Sequence, residues 1–313
     1  MATALIRDLY NIKPEHKGGV ITIGNFDGVH IGHNVLINKL KERAKALHTH
    51  SIVMTFEPQP LEYFAREKGV ARLTRWREKF CALAETGVDY VLVVRFNQKL
   101  ADLSATDFVK NILVDQLAVE HVLVGDDFHF GHNREGNFEF LERAGKDAGF
   151  TVENISSVLV DGERVSSTRI RQALAQGNHD LLHLLGHPYT MMGRVVHGDK
   201  LGRALGFPTA NIHLHRPITP VQGIYIVRMH GIENHGLPGV ANVGIRPTIG
   251  GTRSLLEVYL FNFDRDIYGQ YVSVEFCQKL RAEERYENLE LLKEAIARDA
   301  EQARVYFEGR GEL

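Results

Sequence analysis

Cysteine is scarce in this chain: Cys81 and Cys277 are the only two in 313 residues. They lie far apart and in no metal-ligand or redox spacing. That pattern argues against a disulfide framework and predicts two buried free thiols in a reducing compartment. Long apolar runs are also missing, and none approaches the roughly 20 residues of a membrane-spanning helix. The first stretch, MATALIRDLYNIKPEHKGG, lacks the apolar core of a secretory signal, so a cytoplasmic protein is expected. Neither sign of charge is in excess. Lys and Arg number 37 against 39 Asp and Glu, for a formal net charge of −2, which argues against a nucleic-acid or membrane-surface protein. No internal repeat or low-complexity tract occurs. What is present is an ordinary globular composition, 44% hydrophobic and 24% charged, in a chain long enough for two domains.

The first half alternates two patterns. Apolar runs at 20–24, 51–56, 90–95, 121–125 and 151–155 read as strands. Amphipathic stretches at 34–48, 75–86, 104–117 and 136–148 read as helices. Continuous apolar strands alternating with helices predict a parallel sheet covered on both faces. A helix over 168–185 follows. After "GHPYTMMG" the pattern changes. Segments 191–197, 222–230, 237–243, 254–263 and 271–277 read as consecutive strands, in keeping with an antiparallel barrel or sandwich. A helix over 287–308 closes the chain. The boundary is expected near Gly186, giving domains 1–185 and 186–313.

"GNFDGVHIGH" occupies 24–33, between a strand-like run and a helical pattern. Such a junction is a phosphate site, because helix N-terminal amides face the anion and glycines admit it. Gly24, Gly28 and Gly32 recur every four residues, unlike a dinucleotide fingerprint, and no Gly-Lys-Ser/Thr follows as in a Walker loop. His30 and His33 add imidazole donors suited to charge on a breaking phosphoanhydride. Two histidines that only pack or cap a helix would leave the same letters. In "GDKLGRALGFPTANI" at 198–212, Gly198, Gly202 and Gly206 let a loop fold over phosphates. Thr209 and Asn211 lie two apart, so an extended segment turns them to one side as hard oxygen ligands for Mg²⁺ on ATP. His179, His183 and His187 follow i, i+4, i+8 spacing. A transition-metal site there stays open, although no carboxylate or cysteine joins them in sequence and Pro188 ends the helical pattern near His187.

"GNFDGVHIGH" resembles the signature of the His-x-Gly-His nucleotidylyltransferases, in the form carried by the bacterial bifunctional riboflavin kinase/FAD synthetases. "SSTRIR" at 166–171, "GDDFHFGHNREG" at 125–136, the 198–212 segment, "SLLEVYLFNFDRDIYG" at 254–269 and the terminal charged helix are similar to further blocks of that family. The resemblance runs over nearly the whole chain, in family order. It implies a Rossmann-like α/β nucleotidylyltransferase domain followed by an antiparallel β-barrel riboflavin kinase domain with a terminal helix. It implies riboflavin phosphorylation to FMN, then FMN adenylylation to FAD. ATP and Mg²⁺ serve both steps, and the partners are small molecules, with no nucleic acid or membrane and at most weak self-association.

Roles follow position by position. His30, His33 and Arg171 stabilise the adenylyl transfer. Gly24, Asn25, Phe26, Asp27, Gly28, Gly32, Ser167 and Thr168 bind ATP. Asp126, Phe128, Phe130, Gly131 and Arg134 line the flavin or adenylate site. In the second domain Gly198, Lys200, Gly202 and Gly206 cover phosphates, Thr209 and Asn211 hold the metal, Glu257 is the general base, and Arg281 lies near the flavin. Three positions depart from the family: Gln59 stands where histidine is expected, His129 where a basic residue is expected, and "GDKLGR" is less glycine-rich.

Overall fold

The computed structural model describes residues 2–65, 70–198, 201–216, 218–248 and 251–313. It divides into two compact units. One comprises Met1–Val70 and Thr74–Ser167, the other Ala71–Leu73 and Thr168–Leu313.

The first unit is built on six parallel strands: β1 (Ala4–Arg7), β2 (Val20–Ile23), β3 (Ser51–Glu57), β4 (Tyr90–Arg95), β5 (His121–Gly125) and β6 (Thr151–Ile155). Their order across the sheet is β1-β4-β3-β2-β5-β6. The apolar runs are continuous because both faces are covered. Val20, Val53, Val91 and Leu123 pack with Ile37, Leu40 and Leu83 from the helices Ile31–Ala46 and Trp76–Glu85. Ile21, Ile52, Leu92 and Val122 pack on the other face with Phe108, Ile112 and Leu141. From β2 the chain winds outward through β3 and β4, then returns to place β5 on the other side. The reversal between β2 and β5 is the point at which such sheets bind ligands beyond their carboxyl ends. "GNFDGVHIGH" follows β2, and "GDDFHFGHNREG" begins at the last residue of β5.

Several local expectations change. The edge strand β1 escaped the sequence reading because only Ile6 of its four residues is buried. The expected helix 104–117 is a turn at Ala105–Asp107 running into wider π-type winding over Phe108–Gln116, which lays Phe108, Val109, Ile112 and Leu113 on the sheet. The expected helix 168–185 is a helix over Ser167–Gln176. Left-handed Gly177 interrupts it, and 3₁₀ turns follow over His179–Leu185. A small hairpin, β7 (Leu159–Val160) and β8 (Glu163–Arg164), turns at Asp161-Gly162 with both residues at positive φ, as an Asp-Gly pair favours.

The second unit is a closed antiparallel barrel of β9 (Thr190–Val196), β10 (Thr209–His213), β11 (Gly223–His230), β12 (Leu237–Thr248), β13 (Gly251–Leu260) and β14 (Tyr271–Arg281), ordered β10-β13-β12-β11-β14-β9. Strand β10 contains the extended segment expected at Thr209–Asn211. Along β13, Leu256 and Val258 are fully buried in the barrel, while the alternate residues Leu255, Glu257 and Tyr259 line an external cavity. The terminal helix Leu289–Glu308 starts at Asn288, whose side chain accepts the Leu291 amide at 2.9 Å. It buries Ala300, Ala303 and Phe307 against Ile224, Ile226, Val240 and Phe261. Cys81 and Cys277 are free and partly buried. Among the described residues no helix is long and apolar enough to cross a membrane.

Candidate active sites

The loop after β2 is tightly bent. Phe26, Gly28 and Val29 all take positive φ, at 46°, 82° and 42°. Left-handed Phe and Val are uncommon, and such strain persists only where neighbours hold it. Here they do. The buried Asp27 carboxylate accepts the Thr74 amide at 3.0 Å and its hydroxyl at 3.3 Å, and the Gly28 amide donates to Thr74 Oγ1 at 3.0 Å. The Ser167 hydroxyl donates to the Asp27 carbonyl at 2.9 Å. Lys79, fully buried, donates to the Asn25 carbonyl at 2.5 Å. Asp27 is thus turned into the scaffold, and Asn25 offers its carbonyl to Lys79.

His30 caps the helix Ile31–Ala46, its Nδ1 accepting the His33 amide at 3.3 Å. A neutral ring accepting at Nδ1 carries its proton on Nε2. The two imidazoles stack at 3.6 Å between centroids and 16° between planes, with Phe26 behind His33 at 5.0 Å. A Cβ on Gly32 would come 3.2 Å from the His30 ring, and one on Gly24 would come 3.1 Å from Phe26, so small residues there let the rings sit close. Burial, then the neighbouring His30, Lys79 and Arg164, push His33 well below the ordinary imidazole pKa. The histidines therefore cap a helix and face each other as a stacked pair.

In the segment after β5, Asp126 accepts the Ser157 hydroxyl at 2.7 Å and the Ser157 amide at 3.0 Å. Desolvation opposes its ionisation, but these bonds and Arg164 outweigh it and hold the carboxyl below its usual range. Phe128 and Phe130 stack at 5.4 Å and 20°. Phe130 is a core residue, against Phe108 and Phe140, so its ring supports Phe128. Gly131, at φ 75°, lies where a Cβ would strike the Ala105 backbone at 2.6 Å. Arg134 is exposed. In the helix Ser167–Gln176, Thr168 is exposed, and Arg171 Nε donates to the Ala71 carbonyl at 2.7 Å. Gln59 is buried, its backbone amide donating to the Glu62 carboxylate at 3.0 Å, and its Nε2 has no hydrogen-bond partner among the described residues.

The barrel carries a cavity of about 450 Å³ between its outer face and the terminal helix. The β10–β13 and β12–β13 registers set Glu257 opposite Asn211 on one side and opposite Asn242 on the other. Thr209 lies two residues from Asn211 on the same face, and all four line the cavity. Gly198 and Gly202 lie close to Asn211 and Thr209. A Cβ on Gly202 would come 3.2 Å from Thr209 Oγ1, and one on Gly198 would overlap the Asn211 amide. Gly206 turns at φ 89°. Lys200 lies outside the described residues. Arg281 also lines the cavity but is gripped by buried Asp299 through two bonds of 2.9 and 2.7 Å, which with desolvation opposing raise its pKa.

Four contributors went unread in the sequence. Lys79 and Thr74 lie in ordinary amphipathic and loop contexts that carry no signal. Asn242 interrupts the apolar strand "GVANVG", and Asp299 falls on the same helical stripe as buried Ala295 and Ala303. A polar residue in an apolar period is a legible sign.

A doubly wound sheet bearing a His-x-Gly-His loop and a barrel bearing a Thr-x-Asn/Glu cavity define a two-unit transferase of nucleotide-derived groups. A family model described as FAD synthetase matches residues 12–169, and one described as riboflavin kinase matches 185–307. The bifunctional riboflavin kinase/FMN adenylyltransferase of Escherichia coli (strain K12) is 50% identical over 97% of both chains. That of Pseudomonas fluorescens is 51% identical over 96% of this chain and 97% of its own, and that of Haemophilus influenzae is 46% identical. A solved structure described as a macrolide-efflux protein from Streptococcus pneumoniae superposes with a TM-score of 0.81 at 29% identity, covering 97% of this chain and 99% of that one. The chain belongs to the bifunctional riboflavin kinase/FMN adenylyltransferase family.

Proposed function

We propose the following division of labour within this bifunctional enzyme, which phosphorylates riboflavin to FMN and adenylylates FMN to FAD. Residues 1–185 serve adenylylation and 186–313 serve phosphorylation. The observation that carries the kinase assignment is the row Asn211–Glu257–Asn242 on one cavity wall. Glu257 accepts the proton of the terminal ribityl hydroxyl as its oxygen attacks the γ-phosphorus of ATP. The new O–P bond forms as the bond to ADP breaks. Gly198, Lys200, Gly202 and Gly206 cover the phosphates, and Arg281 borders the flavin.

Thr209 and Asn211 offer hard oxygens on one face, and the glycines over them leave room, so the residues fit Mg²⁺. Bound there with ATP, Mg²⁺ neutralises phosphate charge. Within residues 1–185, an FMN phosphate oxygen attacks the α-phosphorus of ATP and expels pyrophosphate. His30 donates from Nε2 and His33 stands stacked beside it. With Arg171, Ser167, Thr168 and the loop amides from Gly24 to Gly32 they stabilise the transferring charge. No protein nucleophile is required, since positioning and electrostatics suffice. Phe128, backed by Phe130, supports the flavin ring, with Asp126 and Arg134 at its edge. The enzyme is read as a cytoplasmic, flavin-binding protein that takes small-molecule partners and binds neither nucleic acid nor membrane.

The test is a time course with riboflavin, ATP and Mg²⁺, the flavins being separated by chromatography. FMN should rise and then yield to FAD. FMN that persists without FAD would remove the adenylyl assignment and direct attention to Gln59.

A further inference from the structure

Asn242 is given no chemical task above, although it completes the row on the cavity wall. Directly opposed residues of neighbouring strands share a face, with Cβ atoms about 4.5–5.5 Å apart. Asn242 is therefore a direct cross-strand neighbour of Glu257, as Asn211 is on the opposite side. Val240, Ile224 and Tyr259 flank the row, while Arg281, Glu283, Glu284 and Asp299 also line the cavity. Asparagine is disfavoured in strands. Its Oδ1 is buried and accepts no hydrogen bond among the described residues. An unmet buried acceptor costs on the order of 1–3 kcal/mol, so a threonine or valine would suit the strand better. A position that breaks the local rule without a compensating contact is where function is to be sought.

We infer that Asn242 is a specificity-determining residue of the kinase site, its amide oxygen accepting a hydrogen bond from the 4′-hydroxyl of riboflavin, next to the hydroxyl that is phosphorylated. This rests on the reading of Glu257 as the base. An amide oxygen requires an O–H or N–H donor. With the 5′-hydroxyl at Glu257, a polyol chain running from β13 toward β12 brings its next hydroxyl to Asn242. The carboxylate and the amide then read two consecutive hydroxyls, and a chain lacking the second leaves the acceptor unmet.

The experiment compares riboflavin with 4′-deoxyriboflavin as kinase substrates for the full-length enzyme and for Asn242→Leu. Phosphorylation of 4′-deoxyriboflavin by the same preparations reports that the kinase barrel is folded. The wild type should favour riboflavin by about tenfold or more in kcat/KM. Asn242→Leu should lose that preference, through a higher KM for riboflavin and little change for the analogue. A wild type that does not discriminate overturns the proposal whatever the variant does. So does a variant that keeps the full preference, or one whose defect lies in KM for ATP, which would put Asn242 on the nucleotide. The base reading fails separately, if Glu257→Gln phosphorylates riboflavin at the wild-type rate.

Discussion

His33 is held neutral by its burial and by the cations around it, and this has a consequence for stability. An unfolded chain protonates the imidazole near pH 6.5, whereas the folded chain does so only well below that value. As pH falls below 6.5 the unfolded state binds more protons, and stability is lost in that direction. His16 and His121, shifted downward chiefly by burial, act with the same sign. Denaturation midpoints should therefore drop between pH 7 and pH 5.5, and His33→Gln should flatten the drop; an unaltered slope would show that His33 is not the buried neutral group. In catalysis, His33→Ala should lower adenylylation about a hundredfold or more, by analogy with losing one preorganised donor, while FMN formation persists. Glu257→Gln should reverse the pattern, ending FMN formation and sparing FAD formation from supplied FMN. Equal loss of both activities in either variant would refute the assignment.

At the scale of elements, the two phenylalanines after β5 differ in kind although the letters are the same. Phe130 is packed among Phe108 and Phe140, so Phe130→Ala should cost about 3–5 kcal/mol in stability. Phe128→Ala should cost much less and raise KM for FMN. Thermal melts beside adenylylation kinetics separate the two effects, and matched stability losses would place both rings in the core. The Arg281–Asp299 fork joins the end of β14 to the terminal helix. Removing the carboxylate in Asp299→Ala leaves a partly buried cation without its closest partner, at a cost of about 3 kcal/mol. The expected sign is a lower unfolding midpoint with a weakened kinase and an unchanged adenylyltransferase. Gly177, Gly186 and the π-type turn of 108–116 decided the element boundaries, through backbone conformations that hydrophobic period does not encode.

For the whole molecule, two activities on two units predict complementation. His33→Ala alone should stop at FMN, and Glu257→Gln alone should leave riboflavin unconverted. A mixture of the two should make FAD, because FMN released by one chain serves the other. A mixture that yields only FMN would mean that the two steps cannot be divided between chains.

The sequence by itself determined the two architectures, since period and composition report how many faces of an element are buried, and it marked the strand-to-helix junction at 24–33, because its glycine spacing is local. It also placed Thr209 and Asn211 on one side of an extended segment, which needs only the two-residue period of a strand. Tertiary structure alone decided what those residues meet. Strand order put β2 beside β5, register put Glu257 between Asn211 and Asn242, and helix packing brought Asp299 to Arg281 and Lys79 beneath the His-x-Gly-His loop. These pairings join residues far apart in the chain, and no local pattern carries them. The burial that holds His33 neutral and packs Phe130 between Phe108 and Phe140 is likewise a property of what surrounds a side chain.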